Sequence, residues 1–457
     1  MNRLILFIVS IHLIAASYGQ KVEFCITDFG AVADGKTVNT VFIQQTIDKA
    51  SINGGKVIVP SGIYITGSIY LKSNIEFHLM PGAVILGSSN IIDYPELEAK
   101  NNDKDRHPHH LLVINNCENV SITGSGEING NGYAFWESER KSAFHFYREK
   151  EKRPSPLIEI NACNNIQLSG IKITNSPGWT LHLYNSDALK INNITIKNDL
   201  FGPNTDGIDI NGCRDVIIAS SNIKAGDDAV VLKTTRDSRS CENVNVTGCI
   251  LETNCVAMKL GTESYHNFRN VIFSNIIVKN CSRVFSLICN DGAEMNNIRV
   301  SNVTAQTNTG WILNRIIEIN ANKRNEKSNC GSIKNVFVDG MNVLTDGRIL
   351  VGAANGSIVE NISLKNIHLQ FALLDDPKMM AEKTENDPLY FRSLPWLRGA
   401  RAAIAAQNIK HLTIEGLTIK WPTYPLDSTW QLLKSSENWG NEAYLPANKS
   451  RIINQCR

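Results

Sequence analysis

Long apolar runs are missing from almost the whole chain. After residue 19 no stretch nears the roughly 20 consecutive apolar residues that a membrane span requires, so no membrane span is expected. A basic stripe is missing too. Lys and Arg total 46 against 44 Asp and Glu, a net charge of +2, and a nucleic-acid partner would leave a stronger electrostatic footprint. No CxxC or HExxH spacing occurs, so neither a metal site nor a cofactor is expected. The eleven cysteines are an odd number spread over the full length, unlike a small disulfide scaffold. One apolar run does occur, at the start: MNRLILFIVSIHLIAASYGQ has one Arg, about a dozen apolar residues, then the small residues Ala16, Ser17 and Gly19. This is the pattern of a secretory signal over residues 1–19. It predicts export to an extracellular or periplasmic location, with residues 20–457 forming one monomeric domain.

What the chain does contain is a repeat. The phrases CENVSITG (117–124), CNNIQLSG (163–170), CRDVIIAS (213–220), CENVNVTG (241–248), MNNIRVSN (295–302) and IKNVFVDG (333–340) share one pattern. The apolar residue after the polar pair falls at Val120, Ile166, Leu189, Val216, Val244, Val271, Ile298, Val336, Ile362 and Leu412. Successive gaps are 46, 23, 27, 28, 27, 27, 38, 26 and 50. The values 46 and 50 read as two periods each, and 38 as one period with an insertion. Within each phrase apolar and polar residues alternate, the mark of a short strand, and Asn and Gly fill the corners, where left-handed backbone is cheap. Short strands with such corners at this period predict an all-β solenoid, a parallel β-helix. The spacing of leucine-rich repeats is absent, and the density of Asn, Gly, Val and Ile excludes helical repeats.

Stacking accounts for several recurring residues without any chemistry. Cys117, Cys163, Cys213 and Cys241 occupy one repeat position and read as small inner-corner fillers. The N-x-S/T triplets at Asn119, Asn193, Asn245, Asn302 and Asn361 follow from a corner Asn column. Three segments leave the period, 94–110, 133–156 and 371–400, and insertions of this kind gather on one face of a solenoid. Residues 21–60, with the helix-like TVNTVFIQQTIDKASINGG, are expected to cap the N-terminal end.

Two Gly-bearing turns about one coil apart carry acids: NTDG (204–207) holds Asp206, and AGDD (225–228) holds Asp227 and Asp228. On neighbouring rungs these carboxylates lie close together and raise one another's pKa. One carboxyl kept protonated beside one kept ionised suits glycoside hydrolysis, which needs an acid for the leaving oxygen and a base for water. Turn formation and calcium ligation are the plain alternatives.

These turns resemble the two acidic signatures of glycoside hydrolase family 28, the polygalacturonases and their relatives. ITDFGAVADGKTVNT (26–40), VIVPSGIYITGSIYLKSNI (57–75), GSGEINGNGYAFW (124–136) and RPSPLIEINACNNIQLSGIKITNSPGWTLHLY (153–184) also agree, in the family's order over most of residues 22–345. The resemblance implies a right-handed parallel β-helix that cleaves pectic α-glycosidic bonds with inversion. It implies Asp227 as general acid and Asp206 and Asp228 as activators of water. Polygalacturonases carry Gly-His-Gly one rung later, where this chain has Cys255 and Val256, a departure shared with rhamnogalacturonan hydrolases. The family's Arg-Ile-Lys falls at Arg283, with Phe285 at the Lys position.

Around these positions Asn204, Lys259, Arg283, His182, His266 and Trp136 are the candidate substrate-binding residues. Lys259 is placed either to hold a substrate carboxylate or to face solvent. His266 is a candidate replacement for the lost His, and His182 sits where relatives carry a His near the groove. Trp136 is expected to stack on sugar in the groove and Trp179 to lie in the core. The expected partner is a pectic polysaccharide or oligosaccharide, with the long insertions favouring exo-action. A non-catalytic glycan-binding solenoid and a lyase or epimerase on the same fold are the competing readings. The first is disfavoured by the charge-strained acids, the second by the lack of a base set around Asp206.

Overall fold

A computed structural model describes residues 22–97, 106–143, 145–307, 314–354, 356–371, 402–422 and 431–435. The leader-like residues 1–19 lie outside this range, as does the third insertion from residue 372 onward.

All the strand ladders are parallel. They form one sheet of 22 strands and one of 12. The larger sheet turns a corner. Arg214–Ala219 and Asn222–Ala225 pair with Cys241–Thr247 and Ile250–Thr253, and both of these pair with the single long strand Phe268–Cys281. The 12-stranded sheet supplies the remaining face. It runs from Ile69–Leu71 through Ile158–Asn161, Leu181–Tyr184, Ile208–Asn211, Val230–Thr234 and Val256–Ser264, then Arg283–Cys289, Arg315–Ala321 and Arg348–Ala353. The chain is a parallel β-helix.

The ten repeat positions stack in one unbroken column. Val120 pairs with Ile166, and the register continues through Leu189, Val216, Val244, Val271, Ile298, Val336 and Ile362 to Leu412. The gaps of 46 and 50 are therefore not double periods, as the spacing alone suggests. Each is a single rung whose connection carries a long insertion, because a solenoid loop can lengthen outward without disturbing the register. The column is at most 1% exposed, and each such side chain contributes about 1.5–3 kcal/mol of burial. The helix Thr40–Ser51 buries Ile43, Ile47 and Ala50 and covers the N-terminal end of the core.

The corner next to that column explains the Asn repeat. Asn119, Asn165, Asn243, Asn270, Asn297, Asn335 and Asn361 all have φ between 55° and 58°. Their amides link rung to rung: Asn270 Nδ2 donates to Asn243 Oδ1 at 2.9 Å, and Asn297 Nδ2 to Asn270 Oδ1 at 2.8 Å. The cysteine column is likewise structural. Sulfurs of Cys163, Cys213 and Cys241 accept backbone N–H groups of neighbouring rungs at 3.2–3.4 Å.

Asn270→Ala removes two amide bonds and forces a Cβ residue with no local compensation into left-handed backbone. We expect it to destabilise the fold by about 1–3 kcal/mol. Asn270→Gly, which relieves the backbone but not the bonds, should lose less. Chemical denaturation of the two variants beside the wild type checks the order.

Candidate active site

The acid turns approach so closely that only glycine fits beside them. A Cβ on Gly207 would meet the Ala229 carbonyl oxygen at 2.4 Å, and one on Gly226 would meet Thr205 Oγ1 at 2.4 Å and the Gly202 carbonyl oxygen at 2.5 Å. Gly226 N–H donates to Thr205, and Gly207 N–H donates to the Asp228 carbonyl at 2.8 Å. The two turns are thus pinned on adjacent rungs, roughly 4.8 Å apart. Strands Ile208–Asn211 and Val230–Thr234 pair as Ile208↔Val230, which puts Asp206 and Asp228 at equivalent positions.

Asp206 and Asp228 are 3% and 2% exposed, and Asp227 is half-buried. The turn below holds Asp227 in place. Thr253 Oγ1 donates to the Asp227 carbonyl and accepts the Cys255 N–H at 2.9 Å, while Asn254 Nδ2 donates to the Leu200 carbonyl at 2.7 Å. Oxygens of Asp227 and Asp228 and the Cys255 sulfur lie within 4.8 Å of one another. Neither Asp206 Oδ1 nor Asp228 Oδ1 has a hydrogen-bond partner among the described residues, so each keeps an acceptor free of internal bonding.

A fourth carboxyl and two lysines complete the cluster. Asp209 lies three residues beyond Asp206, in the strand Ile208–Asn211, and is fully buried. Lys233 Nζ is 3.2 Å from Asp209 Oδ1, 3.9 Å from Asp206 Oδ2 and 3.9 Å above the ring centroid of the buried Trp179. Lys259 Nζ is 2.6 Å from Asp228 Oδ2. Burial, then the neighbouring Asp209 and Asp227, push the Asp206 carboxyl well above its ordinary range. Burial and Asp228 raise Asp227. Asp209 is pushed up by burial to about 6, although Lys233 and His182 oppose the rise. Burial would also raise Glu263, but Lys233, Arg324 and Lys259 outweigh it and hold that carboxyl low.

The column containing Asp206 and Asp228 continues with Val256, Arg283, Arg315 and Arg348. Val256 therefore fills the position equivalent to Asp228 on the next rung, and Arg283 stacks directly on it. Phe285 pairs with Met258 inside the core, and the outward neighbour of Lys259 is Ser286. Arg283 Nε and Arg315 Nη1 converge on Glu318 Oε2 at 3.3 and 2.9 Å.

Lys259 is buried in the cluster and is not an outward lysine. Asn204 adopts φ 49° in its turn, and its Oδ1 accepts from Arg153 Nη2 at 3.0 Å. Three expectations are corrected. Trp136 is 3% exposed, stacks on Tyr147 at 5.5 Å and donates its indole N–H to the Pro177 carbonyl. The antiparallel bridge of Trp136 to Glu149 folds the ring inward, so it presents no face to a groove. His266 bonds the Arg236 carbonyl at 3.0 Å and does not refill the lost His position. His182 is one rung from Asp209 but fully buried, with Nδ1 on Glu159 Oε2 at 2.8 Å. It presents no surface to solvent. Asp209, Lys233, Glu159 and Glu318 were not singled out from the sequence, because each sits within an otherwise apolar strand. A charged residue at an alternate position of such a strand is the signal that marks them.

The raised carboxyls set a pH dependence. A carboxyl whose folded pKa lies above its unfolded value stabilises the fold below the unfolded value, and that contribution is lost as pH rises through the folded one. For Asp209 the window runs from about 4 to about 6, and Asp206 and Asp227 act in the same direction. Thermal unfolding should therefore occur at a higher temperature at pH 5 than at pH 7.5, with Asp209→Asn flattening the difference. An unchanged slope in that variant would refute the assignment to Asp209.

Comparison with known proteins places this site in a family. The family described as Glycosyl hydrolases family 28 matches residues 50–380, more than half of the chain and all of the acid cluster. A hyperthermoactive exopolygalacturonase from Thermotoga maritima superposes with TM-score 0.66 at 26% identity, covering 76% of this chain and 87% of that one. A probable polygalacturonase of Vitis vinifera is 29% identical over 46% of this chain and 44% of its own length. An exo-poly-alpha-D-galacturonosidase of Dickeya chrysanthemi is 38% identical over 24% of this chain and 19% of its own. The chain thus spans less than half the length of either curated relative. From the matched span, which contains both acid turns, the chain belongs to the glycosyl hydrolases of family 28.

Proposed function

We propose that the protein hydrolyses α-glycosidic bonds of a pectic, galacturonate-containing polysaccharide, acting from a chain end and with inversion. The observation that carries this reading is the pair of adjacent acid turns. Asp227 has its carboxyl raised, while Asp228 across the same turn is ion-paired with Lys259 at 2.6 Å. Asp227 gives its proton to the leaving glycosidic oxygen as the C–O bond breaks. Water, polarised by Asp206 and Asp228, adds to the anomeric carbon and yields one proton to one of these two carboxylates. Lys233 and Lys259 hold the carboxylates in place, and Arg283 offers a planar fork for a uronate carboxylate. The names of the relatives support galacturonan and exo-action. The same reading has the enzyme working outside the cytoplasm, on the strength of the apolar leader-like run.

The test is release of reducing ends from polygalacturonate and from rhamnogalacturonan, with the first-formed anomer followed by NMR. Asp227→Asn should lower kcat by about 10²–10⁴-fold with the fold intact. Wild-type protein inert on both polymers would sink the reading, and a first product of retained configuration would sink the stereochemistry.

Lys233→Met takes a cation from beside Asp206 and Asp209 and so makes both harder to ionise. The ascending limb of the kcat/KM profile should move up by about one pH unit. A limb that stays put would separate Lys233 from the base.

A further inference from the structure

Arg153 is a cation shut away from solvent. It is 1% exposed and comes from the second insertion, 133–156, not from a rung. Its Nη1 donates to the carbonyls of Pro177 at 2.9 Å and Pro203 at 2.7 Å, and its Nη2 donates to Asn204 Oδ1 at 3.0 Å. The guanidinium thus grips the residues that lead into Asp206.

Other residues of the insertion press on the same loop. Tyr133 Oη donates to Asp199 Oδ2 at 2.6 Å, and the Tyr147 N–H donates to the Phe201 carbonyl at 2.9 Å. The Arg140 guanidinium lies 3.9 Å over the Phe201 ring. A Cβ on Gly202 would meet the inward-turned Trp136 ring at 2.8 Å. From another rung Asn254 Nδ2 holds the Leu200 carbonyl. The loop in front of the first acid turn is therefore braced from two directions.

The bond to Asn204 has a chemical consequence. A guanidinium carries only donors, so the Asn204 atom that meets it is the carbonyl oxygen, and the direction of the amide follows from its partner. The NH2 end of that amide makes no hydrogen bond among the described residues. Asn204 is half-buried and lies two residues before Asp206. Beside the acids the chain therefore offers N–H donors instead of a carbonyl, and such donors select an acceptor oxygen. Asp206 is held independently of this clamp. Its carbonyl accepts the Thr180 N–H at 3.0 Å, and the Thr205 carbonyl accepts the Gly226 N–H at 3.1 Å.

We infer that Arg153 is a positioning residue for substrate binding: it fixes the direction of the Asn204 amide, and Asn204 donates to a sugar oxygen next to the acids. The inference rests on the glycosidase reading and adds to it a specificity device supplied by an insertion.

A double-mutant cycle tests it, on whichever of polygalacturonate and rhamnogalacturonan the wild type cleaves. Asn204→Gly keeps the left-handed backbone and removes the amide. It should lower kcat/KM about tenfold, almost wholly through KM. Arg153→Met removes the donors and keeps an apolar stem; it should also raise KM about tenfold and leave kcat within about threefold. The double variant should lose about tenfold, not the roughly hundredfold of independent effects. Arg153→Lys replaces Arg153→Met in the cycle if the methionine variant does not fold. Asn204→Asp needs no change at position 153. It retains a partner for Arg153 but has only acceptors, so at its own pH optimum its KM should be no better than that of Asn204→Gly. Additive losses, a loss confined to kcat, or recovery in Asn204→Asp would overturn the inference and leave the glycosidase reading standing. Wild type that cleaves neither polymer would remove both.

Discussion

Parallel stacking leaves a side chain no choice of neighbour: whatever occupies a position on one rung faces the same position on the next, roughly 4.8 Å away. In the core this constraint is favourable. Val, Ile and Leu meet their own kind from Val120 to Leu412, and at the corner each Asn meets another Asn that can both donate and accept. The same constraint brings Asp206 against Asp228. Two unit charges about 5 Å apart at an effective dielectric of 20 interact by about 3 kcal/mol. The fold meets that repulsion in two ways, by raising the Asp206 and Asp227 carboxyls and by setting Lys233 and Lys259 against Asp209 and Asp228.

Those lysines come from the register as well. Asp209, Val231 and Lys259 occupy one column, and Asn211 and Lys233 are paired in the next. A lysine one or two rungs on from a carboxylate can lean back along the axis, as Lys259 does to Asp228. Lys233 instead leans across Trp179, whose ring face takes a cation readily. Glu263 lies under the field of both lysines and is gripped by Arg324, itself clamped by Asp291 at 2.7 and 2.8 Å. The acids are therefore held by a shell of opposite charges whose members also restrain one another, so that moving one side chain disturbs several.

The architecture was legible in the sequence because it is written in a period. All ten repeat positions stack as their alternation suggests, and the acid turns stood out through the glycines that close approach demands. Legibility failed where a loop, not a rung, was at stake. The gaps of 46 and 50 looked like missing coils, since spacing alone does not distinguish a skipped rung from an outward insertion. Trp136 failed for the same reason: an insertion's ring can turn inward, and only the Glu149 bridge and the Pro177 carbonyl reveal that it does. Asp209 and Lys233 were hidden differently, inside IDIN and VVLK, where flanking apolar residues draw the eye to the core face.

Val256 departs from the family pattern, and its electrostatic consequence can be read from its column. It stands between Asp228 and Arg283 in one column. With an apolar side chain there, the nearest cation within that column lies two spacings from Asp228, and an attraction of about 3 kcal/mol falls to about half. Asp228 is then left to Lys259, and Arg283 turns to Glu318, at 3.3 Å. Cys255 beside it is half-buried near Asp227 and Asp228, and desolvation with those carboxyls drives its thiol well above the ordinary range, so it adds bulk without charge. One apolar rung thus divides the face into an acidic half, balanced by Lys233 and Lys259, and an arginine half that closes on Glu318. A charged residue at position 256 would couple the two, and the acids would no longer be governed by their own lysines.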